Sequence, residues 1–258
     1  MKTRTTLIEL LRSSLMLPAL LLLATFRAPA LEVDCRACNY CRDKRDLKDE
    51  LTARILHHIA GGKSAAQIAE LEGGGSIIRP PIEVWADAHP EAARPDRRLL
   101  KYRGSKLPDT FLFSAYEPCV KVCGVCLGTD KLGHMFQQGW EYYRIAVLDG
   151  KGDALATRYG EWLEGKETRE KYVSDEKYFR RQRSGRLLGY GGFGRTMSGV
   201  ISNADLAANL AGLQMYKDIA RGKFESIANY VSEQLCEEVN CNEYTPEMKR
   251  LVERNGGR

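Results

Sequence analysis

The chain has 258 residues, of which 43% are hydrophobic and 28% are charged, and its formal net charge is +5. The first 30 residues hold four basic side chains and one acid, so the rest of the chain is close to charge balance. Such a balance gives no reason to expect nucleic acid as a partner. The length suits one large domain, or one core with a small extension stapled by cysteines.

The first 30 residues have the three parts of a secretory signal. Lys2 and Arg4 make a positive start, residues 15–26 are apolar, and residues 28–30 match the small-x-small pattern of a cleavage site. We expect cleavage after residue 30, and because Arg27 precedes this site, an uncleaved anchor is the alternative. The cleaved chain would have no transmembrane segment and would be periplasmic or secreted.

All the cysteines lie after this segment. An even number of cysteines in an exported chain predicts disulfides, because oxidising compartments let them persist. We expect the first cluster to be tied in part to the second, and the last two cysteines to pair with each other. Clusters with these spacings also bind zinc or iron–sulfur groups, which is the alternative. The clusters and the final pair are Cys35, Cys38 and Cys41; Cys119, Cys123 and Cys126; and Cys236 and Cys241.

The apolar spacing predicts a mainly α protein. Apolar residues at helical intervals predict a helix that begins near Leu47, and Ser64 can cap a second one. Prolines then predict loop over residues 76–119, with extended pieces at 82–85 and 110–113. A glycine-rich loop is expected at residues 185–199. Further helices are expected over residues 129–148, 153–164, 175–183, 203–219 and 224–239, and from residue 246 onward.

These elements predict one helical core, a proline-rich irregular middle and a disulfide-stapled N-terminal cap. We divide the chain into a signal peptide (1–30), a cysteine-containing cap with the proline-rich loop region (31–118) and a main helical domain (119–258).

Two of the predicted helices have matching polar and small-residue faces. Asp130 and His134 are four residues apart and share a helix face, as do Asp205 and Asn209. Gly133 and Gly139 on the first helix, and a stripe on the second, favour close contact between the two backbones. The stripe on the second helix consists of Ala204, Ala208 and Gly212.

If these helices pack together, Asp130, His134, Asp205 and Asn209 form a candidate site. Such a group can bind a divalent cation, or His134 can act as a general base that an aspartate orients. The structural alternative is that the acids favour the helix dipoles and His134 makes a buried hydrogen bond between the helices. The sequence predicts no specific cofactor.

The run from Asp130 to His134 resembles a short motif of known families. Asp130-Lys131-Leu132-Gly133-His134 is similar to the Asp-Lys-x-x-His helix start of uncharacterised bacterial exported and lipoprotein families and of VanZ-like proteins. The resemblance implies a bacterial envelope setting and marks Asp130 and His134, but it implies no reaction. VanZ-like proteins cross the membrane several times, which is not expected of this chain after cleavage.

A second candidate surface is basic. Arg180, Arg181 and Arg183 lie in a segment interleaved with aromatic residues, and envelope lipids or anionic glycolipids are candidate partners. A solvated helix face is the alternative interpretation. The chain has neither the Gly-x-Ser-x-Gly nor the His-Glu-x-x-His signature of common hydrolases.

The sequence is therefore compatible with two functions. The first is an exported envelope protein that binds a partner or acts as a scaffold. The second is an envelope hydrolase acting on lipid or cell-wall material, in which His134 works with Asp130 and Asp205, with or without a metal. The sequence leaves open whether the protein is an enzyme.

Overall fold

The computed structural model describes residues 40–74, 79–94, 101–104 and 118–256. Most of these residues are helical, which confirms the prediction of a mainly α protein. The predicted signal segment, Cys35 and Cys38 lie outside the described residues. Within the described part of the chain, no helix is both long and apolar enough to cross a membrane.

The N-terminal part contains two helices close to the predicted positions. Helix α1 covers Lys48–Ala60 and helix α2 covers Ala65–Ile68. The Ser64 hydroxyl accepts a hydrogen bond from the Gln67 N–H, and the Gln67 side chain accepts one from the Ser64 N–H. This reciprocal capping pairs donors at the helix start that would otherwise lack partners. The chain then continues as a π-helical turn over Ala69–Gly73.

The prediction of an extended piece at residues 82–85 is wrong, because these residues lie in helix α3, Pro81–Ala88. Pro81 occupies the first turn, where its missing N–H costs no hydrogen bond and its fixed φ suits a helix. Proline disrupts a helix interior, whereas here it begins one. The other predicted extended piece, residues 110–113, lies outside the described residues.

A tight hairpin, which the sequence analysis missed, precedes the main helices. Strands β1 (Cys119–Val122) and β2 (Val125–Gly128) pair antiparallel. Cys123 and Gly124 make the turn with φ of 54° and 78°, the positive values that a two-residue hairpin turn favours. The Asp46 carboxylate accepts hydrogen bonds from both turn N–H groups, at 2.8 and 2.5 Å. This anchors the turn to the residues just before α1.

One disulfide joins this hairpin to the N-terminal part. It links Cys41 to Cys126 across a sequence separation of 85 residues. The bond confirms that the first cysteine cluster is tied in part to the second.

Burial, followed by the nearby charge of Asp46, raises the pKa of the Cys123 thiol to about 11. A thiol with such a pKa is a weak nucleophile at neutral pH.

The predicted pairing of Cys236 with Cys241 is wrong. Cys236 is buried against Cys41 and Cys119, whereas Cys241 is exposed and its thiol contacts the Glu238 carbonyl oxygen at 3.8 Å. The two side chains therefore face different surroundings. Among the described residues, Cys119, Cys123 and Cys241 form no disulfide.

A helical run over residues 129–148, as predicted, follows the hairpin. It alternates between α-helical and wider π-helical turns, and π turns in a helix often occur at functional positions. The run consists of α4 (Thr129–Gly133), a π turn (His134–Gln138), α5 (Gly139–Tyr143) and a second π turn (Arg144–Leu148).

The C-terminal half adds five helices and a short strand pair within the described residues. The glycine-rich loop begins later than predicted, because α8 extends into it. The Ser202 hydroxyl caps α9. The elements are α6 (Gly152–Glu164), α7 (Val173–Phe179), α8 (Arg183–Leu187), α9 (Asn203–Ala220) and α10 (Pro246–Arg254), with β3 (Val200–Ile201) paired to β4 (Glu243–Tyr244).

The prediction of a helix over residues 224–239 is wrong. This segment contains only two short 3-10 turns, Ile227–Asn229 and Glu233–Leu235. The Ser226 hydroxyl accepts from the Ala228 N–H at 3.2 Å. Such a local bond offers the backbone an alternative to helix, which explains why the apolar pattern alone was misleading.

The main helical run crosses α9 with the two backbones in direct contact. A Cβ on Gly139 would lie 2.5 Å from the Gly212 Cα, and one on Gly212 would overlap the Met135 carbonyl oxygen. The Tyr216 hydroxyl donates to the Phe136 carbonyl oxygen at 2.8 Å, one turn further along. The close helix contact predicted from the small residues is confirmed at Gly139 and Gly212. For Gly133 the prediction is wrong, because this glycine faces Pro80 and Glu83 at the start of α3 instead of α9.

The apolar core includes side chains from both predicted segments. Leu51 and Ile55 of α1 belong to the same buried cluster as Tyr142, Trp162 and Tyr216. The N-terminal helices therefore contribute directly to the core around the main helices. The domain boundary at residue 118 stays a prediction.

Replacing Gly212 with alanine should destabilise the protein strongly. In an open helix this change would add stability, roughly 1 kcal/mol. Here the new Cβ would overlap the Met135 carbonyl oxygen, and overpacking of this kind typically costs about 1–3 kcal/mol. Denaturant unfolding of Gly212→Ala beside Gln214→Ala, an exposed position on the same helix, measures the effect. Equal stability of the two variants would contradict the close contact.

Candidate functional site, a buried charge cluster

The polar faces predicted on two helices meet in the structure. His134 Nδ1 lies 3.1 Å from Asn209 Oδ1, and its Nε2 lies 3.3 Å from Asp205 Oδ2. Asp130 lies one turn before His134 and reaches Asp205 through the side chain of Lys131. All the residues of the predicted site therefore belong to one cluster.

The centre of this cluster is the ammonium group of Lys131, which the sequence analysis did not select. Its Nζ lies 2.6 Å from Asp130 Oδ2, 2.5 Å from Asp205 Oδ1 and 2.9 Å from Glu237 Oε1. The Lys131 side chain is 0% exposed. A fully buried lysine is rare unless it is paired, and this one has three carboxylate partners.

The three carboxylates have the spacing of a metal site, but the ammonium already lies among them. Oxygen atoms of Asp130, Asp205 and Glu237 lie within 4.8 Å of one another. An ammonium offers three donors, so each carboxylate can receive one of them. A divalent cation at the same place would be repelled by the charge of Lys131. The geometry thus favours an ion-pair network over the divalent-cation alternative.

The carboxylates of the cluster differ in their affinity for protons. Burial would raise the pKa of Asp205, but the positive charges of His134 and Lys131, with hydrogen bonds from Lys131 and Ser202, outweigh burial and lower it. Burial raises the pKa of Asp130 and of Glu237, and the charge of Lys131 opposes both shifts. Asp205 is therefore the ionised partner that the arrangement favours most.

A further buried acid, Glu164 at the end of α6, lies beside the cluster. Burial, followed by repulsion from Asp205, raises its pKa well above the usual range. Its carboxyl group accepts a hydrogen bond from the Ser202 N–H. Ser202 also caps α9, because its Oγ accepts from the Asp205 N–H at 3.1 Å. One residue therefore connects Glu164 to the helix that carries Asp205.

Glu237 is held from both sides. Its Oε1 faces Lys131, and its Oε2 accepts from Asn242 Nδ2 at 3.1 Å. The same Asn242 amide group lies 3.0 Å from the Tyr102 hydroxyl. The network thus extends from the main helices to the segment after the 3-10 turns. Glu237 was missed because the segment around it was predicted to be an ordinary helix.

His134 is held at both ring nitrogens and partly covered. Asn209 and Asp205 present oxygen atoms to the two nitrogens. Phe193 packs edge-on against the imidazole at 5.6 Å between ring centres. The backbone N–H of Phe193 donates a hydrogen bond to the Leu163 carbonyl oxygen. A general base needs a nitrogen directed at a substrate. In the structure both nitrogens of His134 face oxygen atoms of α9, so these contacts join the two helices.

The structure does not bring together the three arginines of the predicted anionic surface. Arg180 pairs with Glu176 at 2.8 Å and lies over the Trp162 ring. Arg181 is exposed to solvent, and Arg183 Nη1 donates to the Gly74 carbonyl oxygen at 3.1 Å. These three side chains therefore have different environments.

Comparisons of the chain with protein-family models, with curated proteins and with solved structures returned no match.

Replacing Lys131 with methionine should destabilise the protein by about 3–5 kcal/mol, because it leaves three buried carboxylates without their cation. Urea unfolding at neutral pH measures the loss. Lys177→Met, at an exposed position, is the matched control and should change stability by less than about 0.5 kcal/mol. If both variants unfold at the same denaturant concentration, the cluster does not have this structural role.

Replacing Glu164 with glutamine should make the protein more stable above about pH 5, where the unfolded chain loses the glutamate proton. The folded pKa of Glu164 is raised, so the wild type loses stability as pH rises from about 4.3 towards that pKa, by up to about 1.4 kcal/mol per pH unit. Glutamine has no such proton to lose. Unfolding free energies between pH 4 and 8 should diverge with rising pH; parallel curves would contradict the shift.

Proposed function

We propose that this chain is an exported protein of the bacterial cell envelope that binds an anionic partner and performs no catalysis at the buried cluster. The observation that carries the non-catalytic part is the position of the Lys131 ammonium among Asp130, Asp205 and Glu237. It supplies the positive charge that a metal would otherwise provide. With both nitrogens of His134 also held, the cluster works as an internal tie.

The export part of the proposal is supported by covalent chemistry. The Cys41–Cys126 disulfide is of a kind that persists in oxidising compartments and is rare in the cytosol. The signal-like first 30 residues point the same way.

The binding part of the proposal rests on exposed cations. Lys177, Arg181 and Arg186 are exposed within ten residues of one another, and no ion pair joins them to another described residue. Cations close to an anionic membrane surface each contribute about 1 kcal/mol. We leave Arg180 out of this surface because Glu176 neutralises it, and Arg183 because it turns towards the protein interior.

The test is sedimentation with lipid vesicles. Wild-type protein should sediment with phosphatidylglycerol vesicles at low salt, and not with phosphatidylcholine vesicles. Combined reversal, Lys177→Glu, Arg181→Glu and Arg186→Glu, should weaken binding at least about tenfold, because it replaces attraction with repulsion. High salt should weaken the wild type in the same direction.

A control variant separates a specific surface from total charge. It carries the same number of reversals at exposed cations elsewhere: Lys63→Glu, Arg221→Glu and Lys223→Glu. This variant should bind almost as tightly as wild type. Equal losses in both variants, or equal binding to neutral vesicles, would contradict the proposed surface.

A further inference from the structure

A second place in the molecule, away from the buried cluster, has the features of a binding site. A cavity of about 60 Å³ lies where the π turn Ala69–Gly73, the π turns of the main run and the start of α8 meet. Its polar lining includes Arg144, Arg183 and Glu141, and its apolar lining includes Phe136 and Trp140.

The two guanidinium groups have little to bind within the protein. Arg183 Nη1 donates to the Gly74 carbonyl oxygen, and Arg144 has no ion pair or side-chain hydrogen bond to another described residue. Arginine forms its strongest interactions with planar oxyanions, which accept two parallel hydrogen bonds. Two half-buried arginines beside one cavity are therefore suited to an anionic ligand.

Glu141, the only acid among the described lining residues, forms no ion pair with either arginine. Its Oε1 accepts from the Ser184 N–H and hydroxyl, both at 3.0 Å, and its Oε2 accepts from the Tyr159 hydroxyl at 2.6 Å. The carboxylate is thus satisfied by neutral donors. Two guanidinium groups and one carboxylate leave the cavity with a single excess positive charge.

This excess charge and the size of the cavity select the ligand. A monoanion restores neutrality, whereas a phosphate dianion would place surplus negative charge near Glu141. Drug-sized ligands occupy pockets of about 300–1,000 Å³, so this cavity suits only a group of a few atoms. Phe136 and Trp140 offer contact to a short apolar substituent.

We propose that this cavity binds a carboxylate with a short aliphatic substituent, held between Arg144 and Arg183. The group can be a free small acid or the C-terminal carboxylate of a peptide that ends in a small residue. This proposal does not depend on the vesicle-binding surface, because neither Arg144 nor Arg183 belongs to that surface.

Titration calorimetry of the full chain with four probes tests the proposal. Propionate represents the free acid, N-acetylalanine the chain end, N-acetylalaninamide its uncharged counterpart and inorganic phosphate the competing anion. We expect saturable binding of propionate, N-acetylalanine or both, and none of the amide. Binding of propionate alone would identify a free acid as the ligand, and tighter binding of N-acetylalanine would identify a chain end.

Variants then locate the site. Arg144→Gln and Arg183→Gln should each weaken carboxylate binding by at least about tenfold, as expected for loss of a charge-assisted pair. Arg181→Gln, an exposed neighbour, should bind like wild type. Arg183 also holds the Gly74 carbonyl oxygen, so Arg144→Gln, which breaks no such bond, is the deciding variant.

Four results would overturn the proposal. They are no saturable binding of either carboxylate, equal binding of the amide, tighter binding of phosphate than of either carboxylate, and unchanged affinity in a folded Arg144→Gln variant. Thermal melts of each variant without ligand establish that it is folded.

Discussion

The burial of one ammonium group constrains the arrangement of most of the molecule. Lys131 is fully enclosed, and its charge is tolerable there only because carboxylates reach it from separate parts of the chain. Asp130 comes from the same helix, Asp205 from α9 and Glu237 from the segment after the 3-10 turns. Removing the charge match at any of these would leave a buried ion without its partner. The cluster therefore couples the positions of elements that are far apart in sequence.

The glycine crossing makes this coupling geometrically possible. Because Gly139 and Gly212 have no side chains, α9 lies directly against the main helical run. Asp205 and Asn209 then reach Lys131 and His134 without long side chains. The apolar contact fixes the distance between the helices, and the polar cluster fixes their register, since a shift by one residue would separate the charges.

Part of this arrangement was readable from the sequence. Helical periodicity predicted most of the helices correctly. The matching polar and small-residue faces predicted that His134 meets Asp205 and Asn209. Lys131 was missed because a lysine near a helix start usually faces solvent, and only the three-dimensional environment encloses it. The helix predicted over residues 224–239 does not form. The Ser226 hydroxyl makes a local hydrogen bond that competes with a helix, and apolar spacing does not reveal such a bond.

The Cys41–Cys126 bond closes a covalent ring that includes the whole proline-rich middle of the chain. A protease that cuts one peptide bond inside this ring opens it but releases no fragment, because the sulfur–sulfur link still joins the two pieces. Helix α1 would remain attached to the hairpin and, through it, to the main helices. A molecule nicked in this way would thus keep all its parts. Its integrity would then depend on covalent topology as well as on the core.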